Sequence, residues 1–70
     1  MSNAKFNRIK VVLAEKRTTN KVLAENVNVE PQTVSYWCTN TKQPSIRQLF
    51  AIAKFLEVEA KDLLSNVKDI

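Results

Sequence analysis

Residues 18–37 read TTNKVLAENVNVEPQTVSYW, and this stretch decides the fold because it predicts two short helices joined by a tight turn. Thr18 and Thr19 are both good N-caps, so the first helix is expected to begin after one of them. The turn begins at Asn28, one of the few non-glycine residues that tolerate the left-handed backbone conformation. Pro31 opens the second helix, where its missing N–H would be unpaired in any case.

The second helix of this unit is predicted to have one apolar and one polar face. Val34 and Trp37 lie three residues apart and should face a core, which makes Trp37 a core anchor; stacking on a base is the alternative. The side chains of the opposite face form hydrogen bonds but carry no charge. They are Gln32, Ser35 and Tyr36, with Thr33 at the edge. A face of this kind suits the reading of base edges.

Three further helices are predicted from apolar residues at helical spacing, over residues 6–16, 46–56 and 59–66. Asn3 or a residue near it should cap the first, and Ser45 should cap the second. The residues at this spacing are Phe6, Ile9 and Leu13, then Ile46, Leu49, Phe50, Ala53 and Leu56, and finally Leu63 and Leu64, of which the last two should point inward. Ile52 and Phe55 lie beside the stripe of residues 46–56, so this helix has either a broad core face or an exposed apolar patch. The prediction is therefore an all-α protein, a compact five-helix bundle.

The chain is 70 residues long, which makes one domain. We interpret residues 1–4 as a cloning remnant or a disordered N-terminus, residues 5–66 as the domain and residues 67–70 as a C-terminal tail. No apolar run approaches the roughly 18 residues of a membrane span, and the N-terminus lacks the apolar core of a signal peptide. The single cysteine cannot form an intramolecular disulfide. We expect a cytoplasmic protein.

The composition argues against an enzyme. There is no histidine, no glycine and one cysteine, which removes the usual general base, a zinc site and the glycine-rich phosphate loops. We therefore predict no catalytic residues, no metal and no cofactor. Cys38 is interpreted as a partly buried small apolar residue, with a redox-sensing thiol as the alternative. Without glycine, the turns must use Asn28 and Asn40 wherever φ is positive.

The charge is unevenly distributed along the chain. The net charge is +4 and the sequence pI is about 9.5. Residues 1–48 contain eight Lys or Arg against three acids, whereas residues 49–70 contain three against four. The positive field thus belongs to the part that holds the two-helix unit, which favours a polyanionic partner over an ordinary solvated basic surface.

Five motifs follow one another at regular spacing between Arg8 and Leu64. They are RIK, TNKVLAENVNVEPQTVSYW, the NTKQPS loop, IRQLFAIAKFLEV and DLL. In these motifs the chain resembles the XRE/Cro-type helix-turn-helix family of small bacterial and phage transcriptional regulators. The resemblance implies a lambda-repressor-like DNA-binding domain whose third helix, residues 31–38, lies in the major groove.

The resemblance also assigns contacts to individual residues. The implied base contacts are Pro31, Gln32, Thr33, Ser35 and Tyr36. The implied phosphate contacts are Arg17, Asn20, Thr39, Asn40, Lys42 and Arg47. Among these, Gln32 is the strongest candidate reader, because its amide can pair bidentately with N6 and N7 of adenine. The Tyr36 hydroxyl can donate to a base edge or a phosphate, or the ring can lie against its own helix.

Several positions depart from the family pattern. Asn28 replaces the usual turn glycine, and the Cys38-Thr39-Asn40 sequence replaces a common Glu-Asn-Gly. Glu30 replaces the usual Ser or Thr cap of the third helix. Its carboxylate is expected to accept an N–H there and to suit the helix dipole, although it places negative charge near DNA.

The function implied is that of a sequence-specific, double-stranded DNA-binding transcriptional regulator, most simply a repressor. A homodimer would bind a palindromic operator with half-sites about 34 Å apart. Its dimer surface is predicted at Phe50, Phe55, Val67 and Ile70. No small-molecule ligand and no membrane partner are expected. The alternative is a protein-interaction module, such as an antitoxin or adaptor, that uses the same bundle.

Overall fold

The computed structural model describes residues 5–70 and is all-helical, as expected. The four α-helices are α1 (Ile9–Glu15), α2 (Asn20–Val27), α3 (Pro31–Cys38) and α4 (Ile46–Leu56). Two short 3₁₀ helices follow, at Ala60–Leu63 and Val67–Asp69. The prediction of a fifth α-helix over residues 59–66 is therefore wrong, because a short 3₁₀ helix forms there instead. The interpretations of residues 1–4 and of Asn3 lie outside the described residues.

The turn between α2 and α3 has the predicted geometry. Thr19 caps α2, and its Oγ1 accepts a hydrogen bond from the backbone N–H of Val22 at 3.2 Å. Asn28 ends the helix with φ 63° and ψ 47°, and its N–H donates to the carbonyl of Ala24. These two residues set the start and the end of α2, so α3 leaves the turn in a fixed direction.

The start of α3 differs from the prediction in one respect. Pro31 occupies the first turn and Glu30 is the N-cap with an extended backbone, but the carboxylate of Glu30 makes no capping hydrogen bond. The backbone carbonyl of Glu30 accepts from Thr33 N at 2.9 Å instead. A glutamate side chain is longer than the Ser, Thr, Asp and Asn preferred at this position, and it would lose more rotamer freedom by folding back.

The capping prediction for α4 is confirmed. Ser45 Oγ accepts from Gln48 N at 3.1 Å, and Gln48 Oε1 accepts from Ser45 N at 2.8 Å, which completes a capping box. Positive φ is found at Asn28 and Asn40, as predicted, but the expectation that only asparagines would adopt it is wrong, because Arg17 and Glu57 have positive φ as well. Arg17 follows α1 and Glu57 follows α4, so the chain uses charged residues where a glycine is common.

The core lies where α2 packs on α3 and α4, with α1 against α3 and the first 3₁₀ helix. The buried apolar residues are Ile9, Val12, Leu13, Leu23, Ala24, Val34, Trp37, Leu49, Ile52, Ala53, Leu56 and Leu63. Trp37 is only 2% exposed, which confirms it as a core anchor. No helix of the described part is long and apolar enough to cross a membrane.

Of the two alternatives for residues 46–56, the structure has the exposed apolar patch, and the inward prediction for Leu64 is wrong. Ile46 and Phe50 are 72% and 61% exposed, because Ile52 rather than these residues completes the buried face of α4. Leu64 is also exposed. Phe6 lies outside the core since α1 begins only at Ile9.

The segment before α1 is extended and pairs with the chain near Leu64. Arg8 N donates to the carbonyl of Leu63 at 2.8 Å, and Ser65 N donates to the carbonyl of Phe6 at 2.9 Å. The carbonyl of Phe6, which a helix over residues 6–16 would have used internally, thus accepts a hydrogen bond from the C-terminal segment instead. Among the described residues this is an isolated bridge and not part of a strand.

Candidate nucleic-acid interface

The outward side of α3 carries the residues suggested as base contacts. Pro31 and Gln32 are exposed, whereas Thr33, Ser35 and Tyr36 are half-buried. All five follow from the helical period once Val34 and Trp37 are turned into the core. Gln32 is therefore the most accessible amide on the face, and the three hydroxyl-bearing residues beside it are less exposed.

The loop after α3 folds back over the end of the helix. The backbone N–H groups of Thr41 and Lys42 both donate to the carbonyl of Tyr36, at 2.9 and 3.2 Å. The Nζ of Lys42 lies 5.0 Å from the centroid of the Tyr36 ring, within the range of a cation–π contact. The structure thus brings together one suggested base contact and one suggested phosphate contact.

The hydroxyl of Thr39 is held in place at the same end of α3. Thr39 is exposed, and its Oγ1 donates to the carbonyl of Ser35 at 3.1 Å or to that of Tyr36 at 3.3 Å. The hydroxyls of Thr39 and Thr41 are 2.8 Å apart and share a hydrogen bond. Both oxygens keep lone pairs free, but an anion would have to compete for their protons.

Asn40 does not lie where a phosphate contact should be. It is 8% exposed, and its Oδ1 accepts from Asn7 N at 3.0 Å and from Gln43 Nε2 at 3.1 Å. Its Nδ2 donates to the carbonyl of Asn7 at 3.2 Å. The side-chain amide is used inside the protein, so we remove Asn40 from the suggested phosphate contacts.

Asn7 is the centre of this buried network, and sequence reasoning missed it. Its Nδ2 donates to the carbonyl of Trp37 at 3.0 Å and to Gln43 Oε1 at 2.7 Å, while its Oδ1 accepts from Ile9 N at 3.0 Å. An Asn just before an apolar helical run is a recognisable cap signal. Its bonds to residues 30 to 36 positions away cannot be recognised from the local sequence pattern.

The beginning of α2 lies against the end of α3. Cys38 is half-buried, as expected, and its Sγ lies 3.6 Å from Asn20 Oδ1, to which the thiol donates. Burial raises the pKa of the Cys38 thiol above its ordinary value, and the positive charge of Lys10 opposes this rise. The thiol is therefore protonated at neutral pH. The Nδ2 of Asn20 makes no hydrogen bond within the described part of the chain and can serve a ligand.

The remaining suggested phosphate contacts are at two exposed sites. Arg17 lies in the turn between α1 and α2, and Arg47 lies in the first turn of α4. Within residues 5–70 no cluster of His, Cys, Asp or Glu could hold a metal ion, and no buried side-chain nitrogen or oxygen lacks a partner.

This arrangement of α2, turn and α3 agrees with comparisons of the chain with known proteins. The model of the Cro/C1-type helix-turn-helix DNA-binding domain matches residues 8–69. The chain belongs to this family. No curated protein matches the chain.

Solved structures place this Cro/C1-type domain among bacterial relatives. One is the crystal structure of a protein from Bacteroides fragilis that is named as an inferred DNA-binding protein. Its sequence is 47% identical to this chain and its TM-score is 0.84. The match covers 86% of this chain and 97% of that one. The SOS-response transcriptional repressor LexA from Eubacterium rectale is 24% identical, with a TM-score of 0.76. A transcriptional regulator from Listeria innocua is 23% identical, with a TM-score of 0.71.

The last two neighbours are longer than the Cro/C1-type chain described here. The matches cover 87% and 93% of this chain but only 65% and 64% of theirs. At such low identity they show the fold alone. The family and the fold are thus shown for nearly the whole chain.

Proposed function

We propose that this Cro/C1-type protein is a sequence-specific regulator of transcription that binds double-stranded DNA as a homodimer and represses by occupying a promoter. One observation carries the proposal. The exposed amide of Gln32 stands on an uncharged face of α3, and a positive charge from Lys42 lies at the end of that face. With this arrangement, base reading and phosphate binding would be performed by different residues.

Base reading is assigned to α3. Gln32 is free to present a donor and an acceptor together, which is the pattern that adenine offers in the major groove. Ser35 and Tyr36 would add single hydrogen bonds, while Pro31 and Thr33 would offer apolar contact to a thymine methyl group. None of these side chains is charged, so the discrimination would depend on hydrogen-bond geometry more than on charge.

Phosphate binding is assigned to the elements around α3. The proposed contacts are Arg17, Asn20, Thr39, Lys42 and Arg47. Asn20 and Thr39 are neutral donors that fix the position of the domain, whereas the three cations supply affinity through counterion release. Because the charges lie off the reading helix, their contribution should be the same for every DNA sequence.

The dimer is inferred from apolar side chains left at the surface. Phe50, Val67 and Ile70 are exposed, and Ile46 lies one helical turn from Phe50 on the same side of α4. Phe55 is half-buried against the core and would contribute less. A two-fold contact through these residues would place two copies of α3 on a palindrome, with half-sites about 34 Å apart.

The same apolar residues support one rival function. A protein-interaction module, such as an antitoxin or adaptor, would use Ile46 and Phe50 to bind a different protein and would not need Gln32. It would bind DNA weakly and without sequence preference. Sequence preference in DNA binding therefore distinguishes the two functions, and measuring it does not require the protein partner to be known.

Selection of bound duplexes from a random DNA pool at about 0.15 M salt tests the proposal. A regulator enriches one palindromic sequence, and its affinity for that sequence falls steeply as salt increases. If no sequence is enriched and binding stays weak, the regulator is excluded and the interaction module is retained. Sedimentation of the protein with the selected duplex counts the copies bound, and one copy per site would contradict the dimer.

A further inference from the structure

A surface cavity of about 260 Å³ opens between the start of α1, together with the segment before it, and the end of α3. Three cationic residues, Lys5, Arg8 and Lys10, line one side of it. Cys38 and Thr39 line the other side. No Asp or Glu of the described chain is among the lining residues. None of the three cations belongs to the phosphate contacts proposed above, so the function assigned so far leaves the cavity unexplained.

The charge of Lys10 reaches across the cavity. Its ammonium group lowers the pKa of the Cys38 thiol on the facing wall, against the stronger effect of burial. A positive charge that stabilises one anion on this wall stabilises any other anion in the same space. All three cations are exposed, so they can approach a ligand without first being desolvated.

The floor of the cavity is polar and buried. Asn7 and Asn40 form it, and they are joined by hydrogen bonds of 3.0 and 3.2 Å. Because both side-chain amides are engaged in hydrogen bonds within the protein, an anion must be held by the cations and the Thr39 hydroxyl. Arg8 is partly engaged, since its Nη1 donates to the carbonyl of Asp62 at 3.2 Å. The two lysines are the groups free to bind.

The cavity adjoins the proposed DNA interface. Thr39 belongs to both, and Cys38 contacts Asn20 at the start of α2. We propose that the cavity holds one phosphodiester group of the bound duplex, contacted by Lys5 and Lys10, beyond the stretch that α3 reads. The inference rests on the proposed DNA binding and extends its footprint to the segment before α1.

A salt titration of the selected duplex gives the first test. Lys10→Gln should make the slope of log affinity against log salt less negative by about 0.9, the value of one lost phosphate contact. The matched control is Lys54→Gln, which removes an exposed lysine from α4 that no proposed contact includes, and its slope should equal that of the unmodified protein. Circular dichroism on both variants verifies that the fold is kept.

A single phosphate can then be located. Duplexes that carry one neutral methylphosphonate at successive positions should show one position where the unmodified protein loses affinity and Lys10→Gln does not. The same position should be insensitive in Lys5→Gln. If the lysine variants change the slope but lose affinity at every methylphosphonate that affects the unmodified protein, the lysines act only through a diffuse field, and the proposal is overturned.

The two proposals fail in different ways. If the unmodified protein enriches no duplex, the regulatory function fails first. If it binds a selected duplex with the expected salt slope, but Lys10→Gln and Lys5→Gln bind like Lys54→Gln, only the cavity proposal fails. Titration with inorganic phosphate at constant ionic strength distinguishes free phosphate from a duplex phosphate as the occupant of the cavity. Amide shifts at Lys10 and Thr39 that appear with free phosphate but not with duplex would overturn a DNA phosphate as the occupant.

Discussion

Asn7 and Asn40 exchange two hydrogen bonds across 33 positions of sequence, from Asn7 N to Asn40 Oδ1 at 3.0 Å and from Asn40 Nδ2 to Asn7 O at 3.2 Å. Asn7 also binds the carbonyl of Trp37, the core anchor of α3. The segment before α1 is therefore fastened to the end of the helix that carries the proposed reading face. The position of that face depends on a part of the chain that does not contribute to it.

Replacing Asn40 by glycine should destabilise the protein by about 1–3 kcal/mol, because the backbone N–H and carbonyl of Asn7 lose buried partners. Glycine accepts the φ of 59° at this position, so the loss of stability measures the lost hydrogen bonds and not backbone strain. Urea denaturation followed by circular dichroism measures it. Asn28→Gly is the matched control, since Asn28 also has positive φ but is exposed, and its change should stay within about 0.5 kcal/mol. Equal losses in both variants would contradict a role for the network.

The cap of α3 can be improved. Glu30→Asp keeps the negative charge and shortens the side chain, so that the carboxylate can reach the free N–H of the first turn. We expect a gain of about 0.5–1 kcal/mol in the free energy of unfolding. Thr19→Ala, which removes the cap that α2 does have, should cost about 1 kcal/mol. A loss of stability in Glu30→Asp would show that the glutamate supports the helix in another way.

Substitutions at Tyr36 and at Lys42 should affect DNA binding in different ways, although the two side chains are in contact. Lys42→Gln should weaken binding to all duplexes alike and reduce the salt slope by about 0.9, because it removes a phosphate contact. Tyr36→Phe keeps the ring under the lysine and should leave the slope unchanged while it lowers discrimination between sequences. Fluorescence anisotropy at several salt concentrations, with a selected and a scrambled duplex, measures both. If Tyr36→Phe instead weakened binding to the selected and the scrambled duplex equally, its hydroxyl would be assigned to a phosphate and not to a base.

The helix-turn-helix unit could be predicted because its signals are local. A threonine cap, an Asn in the turn and Pro31 at a helix start each act on their nearest neighbours, and the structure has all three. The apolar period likewise placed Val34 and Trp37 in the core. The helix-turn-helix unit itself follows from these short-range rules.

The remaining features depend on contacts that the local sequence does not encode. Phe6 fits a helical stripe, but the backbone around it pairs with the segment near Leu64. Asn40 matches the pattern of an exposed loop residue, and only its bonds to Asn7 turn it inward. The cavity between α1 and α3 could not be foreseen either, because its cations come from one end of the chain and its far wall from the middle.

In the proposed function, the Gln32 amide reads a base pair in the major groove. The experiment compares Gln32→Ala with the unmodified protein on the selected operator and on operators changed at one base pair in turn. We expect that one changed position costs the unmodified protein about 1–3 kcal/mol and costs Gln32→Ala almost nothing, at an unchanged salt slope. Asn66→Ala removes an exposed amide from the C-terminal segment and should behave like the unmodified protein. If Gln32→Ala keeps full discrimination at every position, α3 does not read DNA through this residue and the account is contradicted.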